Sequence, residues 1–482
     1  MKKKIITSII ALMCIISVNA QNQVDALRYS QMYFGGTARS MGMAGAFGSA
    51  GADFSTASSN PAGLGLYKTS EFTFSPSFYR GKTLSEYNNG SADDEKFNFN
   101  INNVGIVFNA ESKKEKEEEM KPGWNNFQLA FGVNRLNNFN NRAIIEGDSP
   151  NSSLLNLFAV QANGNKYNNL DNFGNALAFN TWLIDTFPGT NNYHSVIPKG
   201  GVLQRKLITT AGKIDEMIIS MSANYSEKLY IGGTVGFPFV RYTEQSQYYE
   251  MDKADTLQDF KSFSYNEDLK TTGSGFNFKF GLIYRINDYV RIGLAMHTPT
   301  FYSLKDSYSK TMKSYFDNGD HYVSNSPEGS FTYDLTTPMR AIGNVSFIIG
   351  KMGMINAEYE FVDYSDARLH SSTYKFFDEN QVIRNSYTVS NNFKVGGELR
   401  LAPFSIRAGY ALYSSPYKSN LNDGEKNFIT FGLGMKENGY FIDMAYIYSF
   451  SEEDYYLYSG VPTAALNKIS SHNIVLTLGV KY

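Results

Sequence analysis

The last ten residues, Asn473-Ile474-Val475-Leu476-Thr477-Leu478-Gly479-Val480-Lys481-Tyr482, decide how the rest of the chain is read. In an extended strand Ile474, Leu476, Leu478, Val480 and Tyr482 share one face, with Asn473, Thr477, Gly479 and Lys481 on the other, because successive side chains point to opposite sides. An apolar face backed by a polar or small one is the alternation of a membrane-spanning barrel strand, lipid outside and lumen within. The pattern recurs upstream. Phe276, Phe278, Phe280, Leu282, Tyr284 and Ile286 lie opposite Asn277, Lys279, Gly281 and Arg285. Phe393, Val395, Leu399 and Leu401 lie opposite Lys394, Glu398 and Arg400, and Ile355, Ala357, Tyr359 and Phe361 opposite Asn356, Glu358 and Glu360.

Followed along the chain, the alternation predicts strands near 68–80, 97–109, 124–135, 215–225, 228–249, 271–286, 289–307, 329–349, 352–372, 385–401, 404–415, 426–436, 439–456 and 468–482. These make fourteen, an even number, as a single-chain bacterial barrel requires. The connections Ser226-Glu227, Asn287-Asp288, Gly350-Lys351, Ala402-Pro403 and Glu437-Asn438 are tight, and those between them are long and polar, as at a periplasmic and an extracellular rim. The run Lys113-Lys114-Glu115-Lys116-Glu117-Glu118-Glu119 falls where a periplasmic turn is expected and reads as a solvated loop extension. A soluble β-sandwich could supply alternation, but its loops have no reason to alternate short and long. The expected fold is therefore all-β: a 14-stranded antiparallel transmembrane β-barrel over 68–482.

Composition agrees with this and removes other classes. The 482 residues carry 44 Lys plus Arg against 46 Asp plus Glu, a formal net charge of −2 that implies no nucleic-acid partner. Hydrophobic residues make an ordinary 42% of the chain but aromatics a high 15%, and much of that surplus falls on outward positions such as Tyr440, Tyr446, Tyr448 and Phe450, where interface girdles are expected. Beyond the N-terminus no apolar run approaches the ~18 residues of a membrane helix, so a helical bundle is excluded. The lipid bilayer is the solvent this surface expects.

Residues 1–20 read as a secretory signal peptide, with Lys2-Lys3-Lys4, an apolar stretch from Ile5 to Val18, and Val18 and Ala20 set for cleavage before Gln21. The only cysteine, Cys14, lies inside it, which removes disulfides, thiolate-ligated metals and cysteine nucleophiles from the expected mature chain. Residues 35–52 are dominated by glycine, alanine and serine, including Gly42 and Gly45. Such side chains let backbone approach backbone, which suits a segment packed in a confined space. A phosphate-cradling loop is the competing reading, and no Gly-Lys-Ser/Thr element or preceding strand supports it. Asn60 before Pro61 marks a turn.

The arrangement Gly42, Gly45, Ala46, Ala52-Asp53 and then Asn60-Pro61-Ala62-Gly63-Leu64 resembles the start of the outer-membrane long-chain fatty-acid transporter family, which includes toluene and xylene channels. The resemblance is strongest over 35–67 and recurs more loosely at Ala295-Met296-His297-Thr298-Pro299-Thr300, at Arg340-Ala341-Ile342-Gly343 and in the last strand. It implies that 21–67 is a hatch folded into the lumen. Gly42 and Gly45 would then serve tight packing, Asp53 would anchor the hatch, and Asn60-Pro61-Ala62 would form its junction with the first strand. It further implies passive uptake of hydrophobic molecules such as fatty acids or aromatic hydrocarbons, with lateral exit through a gap in the wall. A C-terminal strand closing on an aromatic resembles the signal read by the barrel-assembly machinery.

Residues 136–214, with Leu154-Leu155-Asn156-Leu157-Phe158 and Ala176-Leu177-Ala178-Phe179-Asn180-Thr181-Trp182-Leu183, read as a helical extracellular excursion, either a landing groove for a greasy ligand or a cap over its own apolar face. Its place after the third strand departs from the family, so no ligand-contacting residues carry over. Catalytic, metal and cofactor residues are not expected: His194, His297, His321, His370 and His472 are dispersed, with no His-x-x-x-His helix and no Gly-x-Ser-x-Gly elbow. The alternatives are a haem-binding receptor, in which His297 or a tyrosine would ligate iron, and a general porin. Lumen-facing charges such as Lys279, Arg285, Arg291, Arg340, Glu358, Glu360, Lys394, Glu398, Arg400, Arg407 and Asp443 are expected to pair across the interior and hold the hatch.

Overall fold

The chain is described by a computed structural model over residues 23–111, 123–418 and 421–482. The expected signal peptide at 1–20, the first two residues of the 21–67 segment and the charged run at 113–119 lie outside these residues. Fourteen wall strands follow one another, each antiparallel to its neighbours. They are β1 (Glu71–Tyr87), β2 (Gly90–Glu111), β3 (Trp124–Asn138, resuming at Asn141–Ser149), β4 (Val202–Tyr225), β5 (Leu229–Met251), β6 (Phe260–Arg285) and β7 (Val290–His297, resuming at Phe301–Phe316). Then come β8 (Gly329–Thr336, resuming at Arg340–Ile349), β9 (Gly353–Asp363), β10 (Val389–Leu401), β11 (Phe404–Tyr413), β12 (Lys426–Glu437), β13 (Tyr440–Tyr455) and β14 (Ala465–Lys481). β1 pairs with β14 from Glu71↔Lys481 to Glu86↔Leu466, which closes the sheet into a barrel. The ladder of this seam is interrupted beside Ser75 and Pro76, where the proline has no N–H to give. Across it the Ser75 and Thr477 hydroxyls share a 2.7 Å hydrogen bond, and Thr477 Oγ1 also accepts from the backbone N–H of Ala38, at 2.7 Å.

Alternation sorts the wall as the sequence requires. Phe278, Phe280, Leu282, Leu294, Phe431, Leu433 and Leu478 are exposed on the outer face, while Lys279, Glu358, Lys394, Glu398, Arg407 and Asp443 are buried on the inner one. The outer face is apolar because its solvent is acyl chain, so a charge placed there loses its hydration. Leu294, 65% exposed in mid-strand, gives a test: Leu294→Arg is expected to cost ~2–4 kcal/mol, the depth-dependent price of a midplane arginine, read as a lowered urea midpoint in vesicles.

Five connections at one end are short, and both strand termini meet there, with Ser70 N donating to Tyr482 O and Tyr482 N to Ser70 O, each at 3.0 Å. The opposite end carries the long connections. One exception is the β1–β2 turn, which is only Asn88-Asn89, because pairing continues from Arg80↔Phe97 to Tyr87↔Gly90. The strands expected at 68–80 and 97–109 thus extend above the apolar band, with ion pairs such as Lys82–Asp93 replacing apolar side chains on their faces. The excursion expected at 136–214 shrinks to 150–201 for the same reason: Asn141–Ser149 pairs with Val202–Thr210, so both flanks remain in the wall.

Within 150–201, two helices (Leu154–Ala162 and Asn175–Asn180) bury Leu154, Leu155, Phe158 and Leu177 against Tyr248, Phe260, Phe263 and Tyr265 of the wall. Glu250 accepts from Leu154 N at 2.8 Å and from Ser153 Oγ at 2.5 Å, fixing the start of the first helix, and Ser314 Oγ donates to Thr181 O at 2.7 Å. Of the two readings, the structure favours the cap that covers its own apolar face.

The wall is not uniformly laddered. β2 pairs with β3 only from Asn103↔Asn134 to Glu111↔Asn126, so the outer half of β2, from Gly90 to Asn102, has β1 as its only ladder partner. β3 bends there, with a register shift between Arg135 and Asn137, and regains straight pairing with β4 beyond Asn141.

Candidate functional site

Residues 23–67 occupy the lumen. The segment starts as a helix, α1 (Gln23–Ser30), passes the bend of β3, makes a short turn α2 (Ala38–Met41), and ends in a 3-10 helix (Pro61–Leu66) before β1. Thr37 caps α2 by accepting from Ser40 N, and Asn60 caps the last turn by accepting from Ala62 N at 3.2 Å. The prolyl ring at the first position of that turn is preset for it.

The segment fits because the wall facing it is made of glycine. A Cβ on Gly281 would lie 2.0 Å from Asn60 Oδ1, and one on Gly232 would lie 2.4 Å from the Pro61 carbonyl carbon. Gly105 and Gly132 cup the ring of Phe54, and Gly396 and Gly409 receive the backbone at Met43 and Ala44. Gly42 itself stands against Gly432, a Cβ there reaching 3.1 Å from the Gly432 Cα. Gly45 (φ 70°) adopts a left-handed conformation beside Phe34 that an L side chain would strain. These wall seats are the part of the site that reading the sequence missed, since a strand glycine gives no sign of which distant backbone it admits.

Polar ties complete the contact. Thr430 Oγ1 donates to Gly42 O at 3.0 Å, Thr234 Oγ1 to Ala57 O at 2.8 Å, and Arg291 to Ala50 O at 3.1 Å. His297 Nε2 lies 2.8 Å from Ser59 O, so the histidine considered as an iron ligand is engaged with the segment. Asp53 is buried and accepts from Thr37 Oγ1 at 2.8 Å and from Ser55 N at 2.9 Å, stapling two stretches of the segment to each other rather than to the wall.

Below α1 the lumen is crossed by ion pairs. Glu398 accepts from Arg39 (2.9 and 3.1 Å), Arg400 (2.7 Å) and Arg407 (2.7 Å), and Arg407 also reaches Asp443 at 2.5 Å. Arg340 pairs with Glu360 and Lys394 with Glu358, each at 2.9 Å, and Lys279 with Glu216. Burial acts to lower the pKa of Arg39, on the segment, but the Glu398 carboxylate more than offsets it and the guanidinium is held above its usual value. Of the charges read as lumenal, Arg285 is the exception, reaching Asp288 at 2.6 Å in a turn.

Above this layer lies a cavity of about 1010 Å³ whose lining mixes apolar side chains, Leu27, Phe139 and Ile208 among them, with charged ones such as Arg28, Glu267 and Lys310, and includes Tyr33. A side chamber of about 260 Å³ shares Tyr33 and Phe139 with it and reaches Asn138, Asn140 and Asn141 at the β3 break. At that break the segment takes the place β2 vacates: Tyr33 N donates to Leu136 O at 3.1 Å and Asn137 Nδ2 to Gln31 O at 3.0 Å. Arg135 spans the gap, bonding Asn100 on β2 and Asp215 on β4.

No family model and no curated protein matches the chain by sequence. Solved structures match by shape. A FadL homologue from Pseudomonas aeruginosa superposes with a TM-score of 0.57 at 13% identity, over 94% of this chain and 99% of that one. The P. putida toluene transporter TodX gives 0.54 at 12% identity over 93% and 99%, and the Ralstonia pickettii toluene transporter TbuX gives 0.51 at 14% over 93% and 99%. At such identities the likeness is one of architecture, and the chain has, over nearly its whole length, the closed fourteen-stranded barrel fold of these hydrocarbon and FadL-type channels.

Proposed function

We propose that the chain is an outer-membrane channel for passive uptake of hydrophobic small molecules, fatty acids or aromatic hydrocarbons, with the lumenal segment as its hatch. The observation that carries this reading is the cavity of about 1010 Å³ that ends below on the segment and continues sideways to the break in β3, beside which ladder pairing with β2 stops. An apolar molecule gains by leaving water for the apolar part of that lining, around Leu27, Phe139, Ile208 and Leu269. It gains nothing by continuing down the axis, where the Glu398, Glu360 and Glu358 ion pairs would have to be parted in its path. Exit through the gap into the bilayer keeps it out of water. Against β8 and β9 the hatch is tied by Gly48 N, which donates to Glu358 at 3.3 Å, and by Ser49 Oγ, which shares a 2.6 Å hydrogen bond with Ser346 Oγ, so a shift of the hatch parts these contacts. Delivery to the membrane would follow the expected signal peptide, with the C-terminal strand recognised by the barrel-assembly machinery.

The test is identification of what the protein holds. Purified in mild detergent and extracted, it is expected to release fatty acids or aromatic compounds. Recovery of haem with its absorption band would replace this reading with a haem receptor, and an empty extract together with free passage of small ions would make the chain a general porin.

A further inference from the structure

On the lipid-facing side of β9–β12 the apolar wall is hollowed. The outward residues of one row are Ile355, Gly397, Ala408 and Phe431, paired in that order across four strands. Its two central members are small. A groove of about 750 Å³ lies over them, and a second of about 470 Å³, reached over Val345 and Ala357, shares Val395 and Tyr410 with it. Nothing of the protein fills this space. The nearest atom to a Cβ on Gly397 would be the Met354 carbonyl at 3.5 Å, and Gly343 in the second groove is as open.

The rims and the lower end say what fits. Exposed Phe393 and Phe431 stand up beside the floor, so a second barrel of this kind would rest on these ridges and leave the hollow void, whereas a flexible hydrocarbon chain can lie between them. The first groove runs down to Ile349 and Met352, which flank the short turn at the end where both strand termini meet. Lys351 stands exposed in that turn, and among the described residues no carboxylate pairs with it. An ammonium at the end of an apolar trough, at the level where the hydrocarbon gives way to headgroups, matches a phosphate followed by an acyl chain.

We infer that this groove is a phospholipid-binding site, with one acyl chain over Gly397 and Ala408 and the headgroup phosphate at Lys351. It lies apart from the lumen and from the β2–β3 gap, and does not depend on what the channel carries. The experiment is native mass spectrometry of the full chain in nonionic detergent with added palmitoyl-oleoyl phosphatidylglycerol. A single retained lipid is expected, its occupancy falling about tenfold in Gly397→Leu/Ala408→Leu and in Lys351→Gln, and staying unchanged in Gly233→Leu, which makes the same glycine replacement at an open wall position on β5. Heat-dependent gel mobility checks that each variant is a closed barrel, and Lys351→Gln tests the site without touching the wall. Occupancy in the filled-groove and Lys351 variants equal to that of the unaltered chain, an equal loss in Gly233→Leu, or a dimer that the filled groove dissociates would each overturn the assignment.

Discussion

Removal of residues 23–62 is expected to convert a closed barrel into an open pore. The segment fills the lumen below the upper cavity, and the wall it leaves behind is glycine and charge rather than apolar side chain, so water enters where it lay. Fourteen strands place the barrel between the eight that interior side chains can fill and the sixteen to eighteen of aqueous channels. Single-channel conductance in planar bilayers should rise at least about tenfold over the intact chain, because the smaller barrels of that range are packed shut and the larger conduct. The wall should survive, since β1–β14 pairing does not involve the deleted backbone. Unchanged conductance from a variant that keeps heat-dependent mobility would mean that some other element, the cap over 150–201 first among them, closes the lumen.

Glu398→Ala is the point substitution with the largest expected cost. Its carboxylate is buried and satisfies Arg39 of the segment and Arg400 and Arg407 of the wall together. Without it three guanidiniums face one another, and the Asp443 carboxylate is bonded to Arg407 alone. Breaking a buried ion pair by removing one partner typically costs ~3–5 kcal/mol, because the survivor is left desolvated and unpaired. The loss should appear as a lowered unfolding midpoint in urea, and also as brief conducting openings, since Arg39 is one of the segment's ties to the wall. Glu398→Gln keeps the shape and one acceptor oxygen and should fall between. A midpoint unchanged within ~0.5 kcal/mol, the range of ordinary surface substitutions, would show that water has already taken over these arginines.

The barrel was legible in the sequence where the membrane writes both faces of a strand. Ile474 to Tyr482 and Phe276 to Ile286 alternate because one side meets lipid and the other the lumen, and there the expected and observed strands coincide. Legibility stopped at the bilayer surface. Arg80 to Tyr87 and Val202 to Ile214 continue their strands, but with water outside their polar outer faces look like loop. The inward charges were legible for a related reason: a mid-strand Glu398 or Lys394 opposite a run of apolar residues can only face inward. The glycine seats were not, because Gly281 meets Asn60 more than two hundred residues away, and a strand glycine with no partner named in its neighbourhood reads as slack. The break in β3 was hidden in the same way, its run of asparagines from Asn137 to Asn141 looking like the start of an extracellular loop when it is the place where one wall partner is exchanged for another.

Thr477 binds Ser75 across the seam and Ala38 of the segment at once, and this links the closure of the barrel to what lies inside it. The first strand can meet the last only when the chain is complete, and the hydroxyl that joins them there is shared with residue 38. The bond that helps close the cylinder and a bond that seats its contents therefore meet on one oxygen. A barrel shut around an empty lumen would keep the first bond and leave that acceptor position on the oxygen to water.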